Sequence, residues 1–340
     1  MEIIPEPLIF NKDRLFILDQ RKIPFKEKYF IARNFNDVKI AIKNMILRGA
    51  PLIGIAGAYG ILLGIRKKFK LENFYKMKEE LLLLRKTPYN LNYTLSILEG
   101  LIKKGAGYSD LEKEVENIFE REKLRCERVG ENGFKVFKEK NHKRILTHCN
   151  TGKLATGGIG TALGVIYKSR EIVEMVYVTE TRPYFQGARL TSYELSKLNI
   201  PFKIILDAEA ALLMKKGMVD AVIVGADRIT MDGYLANKIG TLSIAISAKE
   251  FGIPFYVASP ISTIDLSAKG EEGIKLEERS GDEVRGWGKT KWIPQNFDVM
   301  YYSFDLTPPF LIKMIITDMG NFSPQELETV QFRDEKRELF

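Results

Sequence analysis

The sequence predicts an α/β protein in which a mainly helical N-terminal domain, residues 1–140, precedes a domain built on a doubly wound parallel sheet, residues 141–340. Three observations predict it. Before residue 140 the apolar residues recur at helical spacing. From Lys143 short β-rich runs alternate with segments of helix-like composition. Polar or reactive residues follow each of those runs at its carboxyl end. Alternation of this kind marks βαβ units around a parallel sheet.

Residues 36–47 open on Asn36 and Asp37 as capping residues and place Val38, Ala41, Ile42, Met45 and Ile46 at helical spacing. The segment Arg48-Gly49-Ala50-Pro51 ends that helix. Residues 52–65 are apolar and rich in small side chains (Gly54, Ala56, Gly57, Ala58, Gly60, Gly64), which suits a buried helix lying close to another element. Further helical patterns cover 71–84, ended by Lys86-Thr87-Pro88, and 110–140. Strands are expected at 143–148, 172–178, 202–206, 221–224 and 254–257, wound right-handedly.

Composition narrows the function classes. With 45% hydrophobic and 28% charged residues the chain has an ordinary globular balance, which excludes disorder as its main state. No window approaches 18 uninterrupted apolar residues, and the first eleven residues carry two Glu and two Pro where a signal peptide needs a basic and then an apolar run. A cytoplasmic protein without membrane contact is expected. Two cysteines, Cys126 and Cys149, make no disulfide framework, and with His142 and His148 they make no typical zinc site, so no metal is expected. The 52 Lys and Arg exceed the 44 Asp and Glu by 8, but they are interleaved with acids along helices. That pattern reads as solvated helix faces, not a nucleic-acid patch. Sparse Gln beside heavy Lys, Glu and Ile usage is a heat-adapted composition.

Ligands of open parallel sheets bind beyond the carboxyl ends of the strands. The residues there are His148-Cys149-Asn150-Thr151-Gly152, Thr179-Glu180-Thr181-Arg182, Asp207-Ala208-Glu209, Gly225-Ala226-Asp227-Arg228 and Ser259-Pro260. Cys149 lies just ahead of the Gly157-Gly158-Ile159-Gly160 run that is expected to open the next helix. A thiol near helix amides becomes reactive, whereas a buried one is simply a small hydrophobe. Asp227 projects from a tight turn into the same crevice. Desolvation there favours the protonated carboxyl that acid–base work needs, the alternatives being a helix cap or an ion pair with Arg228. Asn237 and Lys238 offer an amide and an ammonium to a phosphate or sugar oxygen, or are merely a surface pair. Cys126 and both histidines read as structural. As a nucleotide fingerprint the glycine run fails, because Leu163 stands where the third Gly belongs and no Walker pattern exists. No nucleotide cofactor is expected.

Taken together, Arg48-Gly49-Ala50-Pro51, His148-Cys149-Asn150-x-Gly152, the run from Glu180 to Thr191, Gly225-Ala226-Asp227-Arg228-Ile229 and Ala236-Asn237-Lys238-Ile239-Gly240-Thr241 resemble a known superfamily. Glu277-Glu278-Arg279 and Phe304-Asp305-Leu306-Thr307-Pro308 extend the match. The superfamily joins methylthioribose-1-phosphate isomerases, which the chain resembles most, with ribose-1,5-bisphosphate isomerase and the regulatory subunits of translation initiation factor 2B. The resemblance implies a small helical domain, a Rossmann-like catalytic domain, a homodimer, no metal or nucleotide cofactor, and conversion of an aldose 1-phosphate to a ketose 1-phosphate in methionine salvage. It puts Cys149 and Asp227 in the catalytic positions. Arg48, Gly49, Ala50, Arg85, Gln186, Asn237 and Lys238 fall where the family contacts the phosphorylated pentose. Departures at Lys86, Pro88, Tyr89, Thr151, Lys153, Tyr184, Phe185, Tyr301 and Tyr302 leave the C5 substituent of the sugar open. A ribose-1,5-bisphosphate isomerase or a noncatalytic regulatory subunit are the competing readings.

Overall fold

A computed structural model of the chain describes residues 3–11, 13–66, 69–84 and 87–330. It opens with an antiparallel sheet of β1 (Leu8–Asn11), β2 (Arg14–Leu18) and β3 (Tyr29–Ala32), an element not expected from the sequence. Five helices follow: α1 (Phe35–Lys43), α2 (Ala50–Ile65), α3 (Leu71–Leu84), α4 (Tyr89–Lys103) and α5 (Tyr108–Lys140). The cap of α1 is Asn34, whose side chain accepts the Asp37 amide, instead of the expected Asn36 and Asp37. α4 was also not expected. Pro88 does not merely end what precedes it but stands at the N-cap of α4, where a missing N–H costs nothing. α2 carries no charged residue and is buried on all sides by α1, α3, α4 and α5, which explains its all-apolar sequence.

The second half alternates as predicted. β4 (Arg144–Thr147), α6 (Lys153–Thr156), α7 (Ala162–Lys168), β5 (Met175–Thr179), α8 (Ser192–Lys197), β6 (Phe202–Ile205), α9 (Ala210–Lys215) and β7 (Ala221–Val224) come first. The glycine run lies between α6 and α7 and does not open a helix, because Gly157 caps α6 in a left-handed conformation and α7 starts only at Ala162. Next come β8 (Arg228–Thr230), β9 (Leu235–Lys238), α10 (Thr241–Glu250), β10 (Phe255–Ala258) and β11 (Ile264–Asp265). The hairpin β12 (Gly286–Trp287) and β13 (Thr290–Lys291) leads to β14 (Phe304–Thr307), β15 (Met314–Thr317) and β16 (Gly320–Phe322).

The main sheet has the order β16-β15-β10-β7-β4-β5-β6, parallel except at β16. Its interior strands are buried on both faces. Ala221 and Ile223 join the core under one face, Val222 and Val224 the core under the other. Such strands read as unbroken apolar runs. After β6 the chain returns to lay β7 against the other side of β4, so the winding direction reverses between these two strands. Ligand crevices form at such a switch point, beyond the carboxyl ends.

Helix α5, 33 residues long and so roughly 50 Å from end to end, packs against α2, α7 and β15. Its half-buried Arg125 approaches Asp318 at 3.5 Å and donates to the Tyr93 hydroxyl of α4 at 3.3 Å. Cys126, on the same helix, is fully buried and burial drives its thiol pKa far up, which fits an inert side chain.

Candidate active site

Two residues beyond β4 the backbone turns through Cys149 at φ +64°, a left-handed conformation uncommon for a residue with a Cβ. Neighbours hold it there. Its N–H donates to Thr181 Oγ1 at 3.0 Å, and its carbonyl accepts the Thr191 hydroxyl at 2.6 Å. Thr181 is also left-handed, at φ +64°, a strain worth on the order of 1–3 kcal/mol for such a residue. The Asp207 carboxylate, from the strand end of β6, fixes that loop by accepting the Thr181 and Arg182 amides at 2.7 and 2.8 Å. The third strand-end cluster thus braces the second.

His148 is structural, as its residue type suggested. Ring Nε2 lies 2.9 Å from the Ile239 carbonyl, which only accepts, so Nε2 bears the proton and Nδ1 accepts the Thr179 hydroxyl at 2.6 Å. Burial pushes its pKa down to about 4, so the ring is neutral at physiological pH. His142 is buried against the Tyr256 hydroxyl at 3.0 Å.

Asp227 stands three residues beyond β7. Its N–H donates to the Ala236 carbonyl at 3.0 Å and its carbonyl accepts the Tyr89 amide at 3.1 Å, tying it to β9 and to the first turn of α4. The expected alternative of a pair with Arg228 gives way to another partner, since Arg228 Nε binds Asp265 at 2.9 Å.

Opposite these strand ends lies the start of α2. Gly49 has φ +102°, and a Cβ there would come within 2.5 Å of the Ala155 backbone. Only glycine lets the chain pass so close to α6. The helix amides that begin here, with the positive end of the dipole, suit an anion. Arg48 donates through Nη1 to Asn150 Oδ1 at 2.6 Å and through Nη2 to the Asn150 carbonyl at 2.8 Å. Asn150 Nδ2 in turn donates to Glu194 at 2.8 Å. Glu194 is buried, accepts the Lys153 and Leu154 amides at 2.6 and 3.3 Å, and has its pKa raised to about 6 by burial. A relay thus runs from a buried carboxylate through an amide to a guanidinium on the cavity wall.

Two adjoining small cavities share Arg48, Gly49, Cys149 and Asp227. Gln186 and Lys238 line the first; Ala50 and Asn237 line the second. The structure therefore gathers eight of the nine candidate residues, and the ninth, Arg85, lies outside the described residues. Lys238 is not a surface lysine. It is buried, donates to the Ser303 carbonyl at 3.0 Å and stands 4.5 Å from the Phe304 ring centre. Asn237 donates to Thr241 Oγ1 at 3.1 Å. A wider vestibule adjoins the first cavity, and its lining of Arg21, Lys22, Lys43, Arg189 and Lys291 outweighs Asp282 and Glu283, a basic approach for an anion. Among the described residues no three His, Cys, Asp or Glu side chains are grouped as a metal site requires. None of the described helices is long and apolar enough to cross a membrane.

Sequence reasoning missed Glu194, Glu283 and Ser303 as site components, whereas Tyr301 and Tyr184, named as departures bearing on the sugar's C5 group, do line the first cavity. Glu194 is a helical residue with nothing local to set it apart. Glu283 carries one faint signal, its i,i+4 spacing from Arg279.

Residues 47–324 match the model of the initiation factor 2 subunit family. A relative from Caldicellulosiruptor saccharolyticus, named methylthioribose-1-phosphate isomerase, is 46% identical over 96% of this chain and 98% of its own. The crystal structure of 5-methylthioribose 1-phosphate isomerase from Pyrococcus horikoshii OT3 superposes with a TM-score of 0.81 at 34% identity, covering 99% of this chain and 96% of that one. The structure named translation initiation factor eIF-2B, subunit delta, from A. fulgidus gives 0.78 at 35% identity, covering 95% and 97%.

Proposed function

The chain belongs to the initiation factor 2 subunit family, and from that premise, with relatives named for one enzyme along nearly its whole length, we infer that it is an aldose–ketose isomerase converting 5-methylthioribose 1-phosphate to 5-methylthioribulose 1-phosphate. The observation that carries this reading is that Cys149 and Asp227 line the same two cavities, one of which also holds the amide end of α2. A pure binding module has no need of a thiol and a carboxyl group converging beside an anion site.

Phosphate on C1 removes the free aldehyde, so the furanose ring must open before hydrogen moves from C2 to C1. In this reading Asp227 protonates the ring oxygen as the C1–O4 bond breaks and then manages the proton at O2, general acid–base work worth on the order of 10²–10⁴ in rate. Cys149 serves the C2 hydrogen, as the base that passes it to C1 or as the group beside a direct hydride shift. The Gly49 and Ala50 amides, Arg48, Gln186, Asn237 and Lys238 hold phosphate and sugar oxygens, and Arg85 joins them by family position. Charge-assisted bonds to a dianion are the strong ones. The reading also takes residues 1–140 and 141–340 as the two domains, a homodimer as the working form, the cytoplasm as its place, and methionine salvage as the pathway.

The test is to incubate the purified protein with 5-methylthioribose 1-phosphate in heavy water and follow it by NMR. Formation of the ketose is the expected result, and no conversion removes the reading. Deuterium at product C1 assigns Cys149 the proton-transfer role; protium there assigns the hydride shift or a shielded proton.

A further inference from the structure

Four buried polar atoms on the wall of the first cavity have no hydrogen-bond partner among the described residues: Gln186 Oε1, Glu283 Oε2, Tyr301 OH and Ser303 Oγ. Buried polar groups are nearly always paired, so a cluster of exceptions around one cavity points to a ligand that completes them. Three of the four come from residues 283–303, of which the sequence analysis marked Tyr301 alone, as a departure bearing on the C5 substituent.

Glu283 is the charged member. Its Oε1 accepts Arg279 Nε at 2.9 Å and Arg279 Nη2 as well, while its Oε2 is the atom left open. Arg279 is thereby closed on a carboxylate and presents no unneutralised charge. Tyr184 and Tyr301 flank the pair, and Met45, Ile53, Pro88 and Phe304 complete the apolar lining. Neither Arg279 nor Glu283 lines the second cavity, where Ala50, Asn150 and Asn237 lie. Across the waist formed by Arg48, Cys149 and Asp227, the site thus has one end suited to a dianion and another that, beside Gln186 and Lys238, carries apolar side chains and a spare carboxylate oxygen.

We propose that Glu283 is a specificity-determining residue, accepting a hydrogen bond from a hydroxyl of the bound sugar and turning away pentose 1-phosphates that carry a second phosphate at C5. The proposal rests on the isomerase reading. A phosphate entering that end meets a carboxylate, with the Arg279 guanidinium already engaged by it and the Lys238 ammonium bonded to the Ser303 carbonyl. Specificity of this kind comes from repulsion of the wrong ligand as much as from attraction of the right one.

The experiment compares kcat/KM for 5-methylthioribose 1-phosphate and ribose 1,5-bisphosphate in wild type, Glu283→Gln, and Glu283→Gln combined with Arg279→Gln. Wild type should prefer the first substrate by on the order of 10²-fold or more. Glu283→Gln should lower that preference by roughly tenfold or more, through loss of a charged acceptor for one substrate and release of Arg279 for the other. Removing Arg279 as well should cancel the gain toward the bisphosphate. A folded Glu283→Gln protein with unchanged preference overturns the proposal. Wild type that leaves 5-methylthioribose 1-phosphate untouched overturns the isomerase reading instead. Inhibition of the wild-type enzyme gives an arm that needs no variant: ribose 1,5-bisphosphate should bind about tenfold more weakly than ribose 1-phosphate, and equal or tighter binding overturns the proposal.

Discussion

Cys149 and Asp227 stand just beyond β4 and β7, neighbours in the sheet, whereas Arg48, Glu283 and Tyr301 reach the same cavity from a helix start and from a long irregular segment. The first wall is placed by strand register: Thr147 pairs with Ile223, so the two strand ends are level and whatever follows them enters one crevice. The second wall is placed by side-chain relays such as Glu194–Asn150–Arg48. A sheet holds reactive groups without needing their side chains for stability. A relay makes position and stability depend on the same bonds.

The sharpest test of that difference removes the reactive groups. Asp227→Asn and Cys149→Ser should each lower kcat by about 10²–10⁴ while thermal unfolding stays close to wild type. Unfolding of either variant in parallel with loss of activity would break the distinction. On the other wall, Arg48→Ala should cost roughly 10- to 100-fold in kcat/KM, mostly through KM, as loss of a charged hydrogen-bond donor does. A pure kcat effect would move Arg48 to the chemical wall.

A smaller effect is expected where the walls meet. Glu194→Gln turns one buried acceptor into a donor facing the Asn150 amide group and the Lys153 and Leu154 amides, and should cost about 1–3 kcal/mol of stability together with a rise in KM. Unchanged denaturant midpoint and KM would show that the relay positions nothing. Least of all should turnover respond to the protonation of His148. With two histidines in the chain, NMR can follow each ring. The His148 ring should titrate near pH 4 instead of the usual 6.5. As pH falls from about 6.5 to 4, the unfolded chain takes up a proton that the native ring refuses, so this residue lowers stability through that window. A midpoint near 6.5 would make the brace at the end of β4 solvent-accessible.

Legibility in the sequence followed the same division. β7 coincides with its predicted bounds because a strand buried on both faces is a plain apolar run. The residues after β4 and β7 were found because sheet topology says where to look. β1 to β3 were missed because they are four or five residues long and half exposed. Leu91, Leu95, Leu98 and Ile102 of α4 had a helical rhythm, but Pro88 was read as a break and not as a start. Glu283 and Ser303 sit among short turns and beyond a two-residue hairpin, where no periodicity marks a residue and only the folded chain brings it to the cavity, while Tyr301 shows in the sequence only as a departure from the family pattern.

Helix α5 has a mechanical consequence. One uninterrupted rod grips α2 on one side and α7 and β15 on the other, while the amide of Tyr89 is bonded directly to the carbonyl of Asp227. Prising the halves apart like a clamshell would bend that rod and snap that bond. The basic vestibule, whose rim carries Trp287 and Lys291 of the small hairpin, opens onto the first cavity through Arg48, Tyr184 and Gln186, so reaching the strand ends from that side disturbs neither.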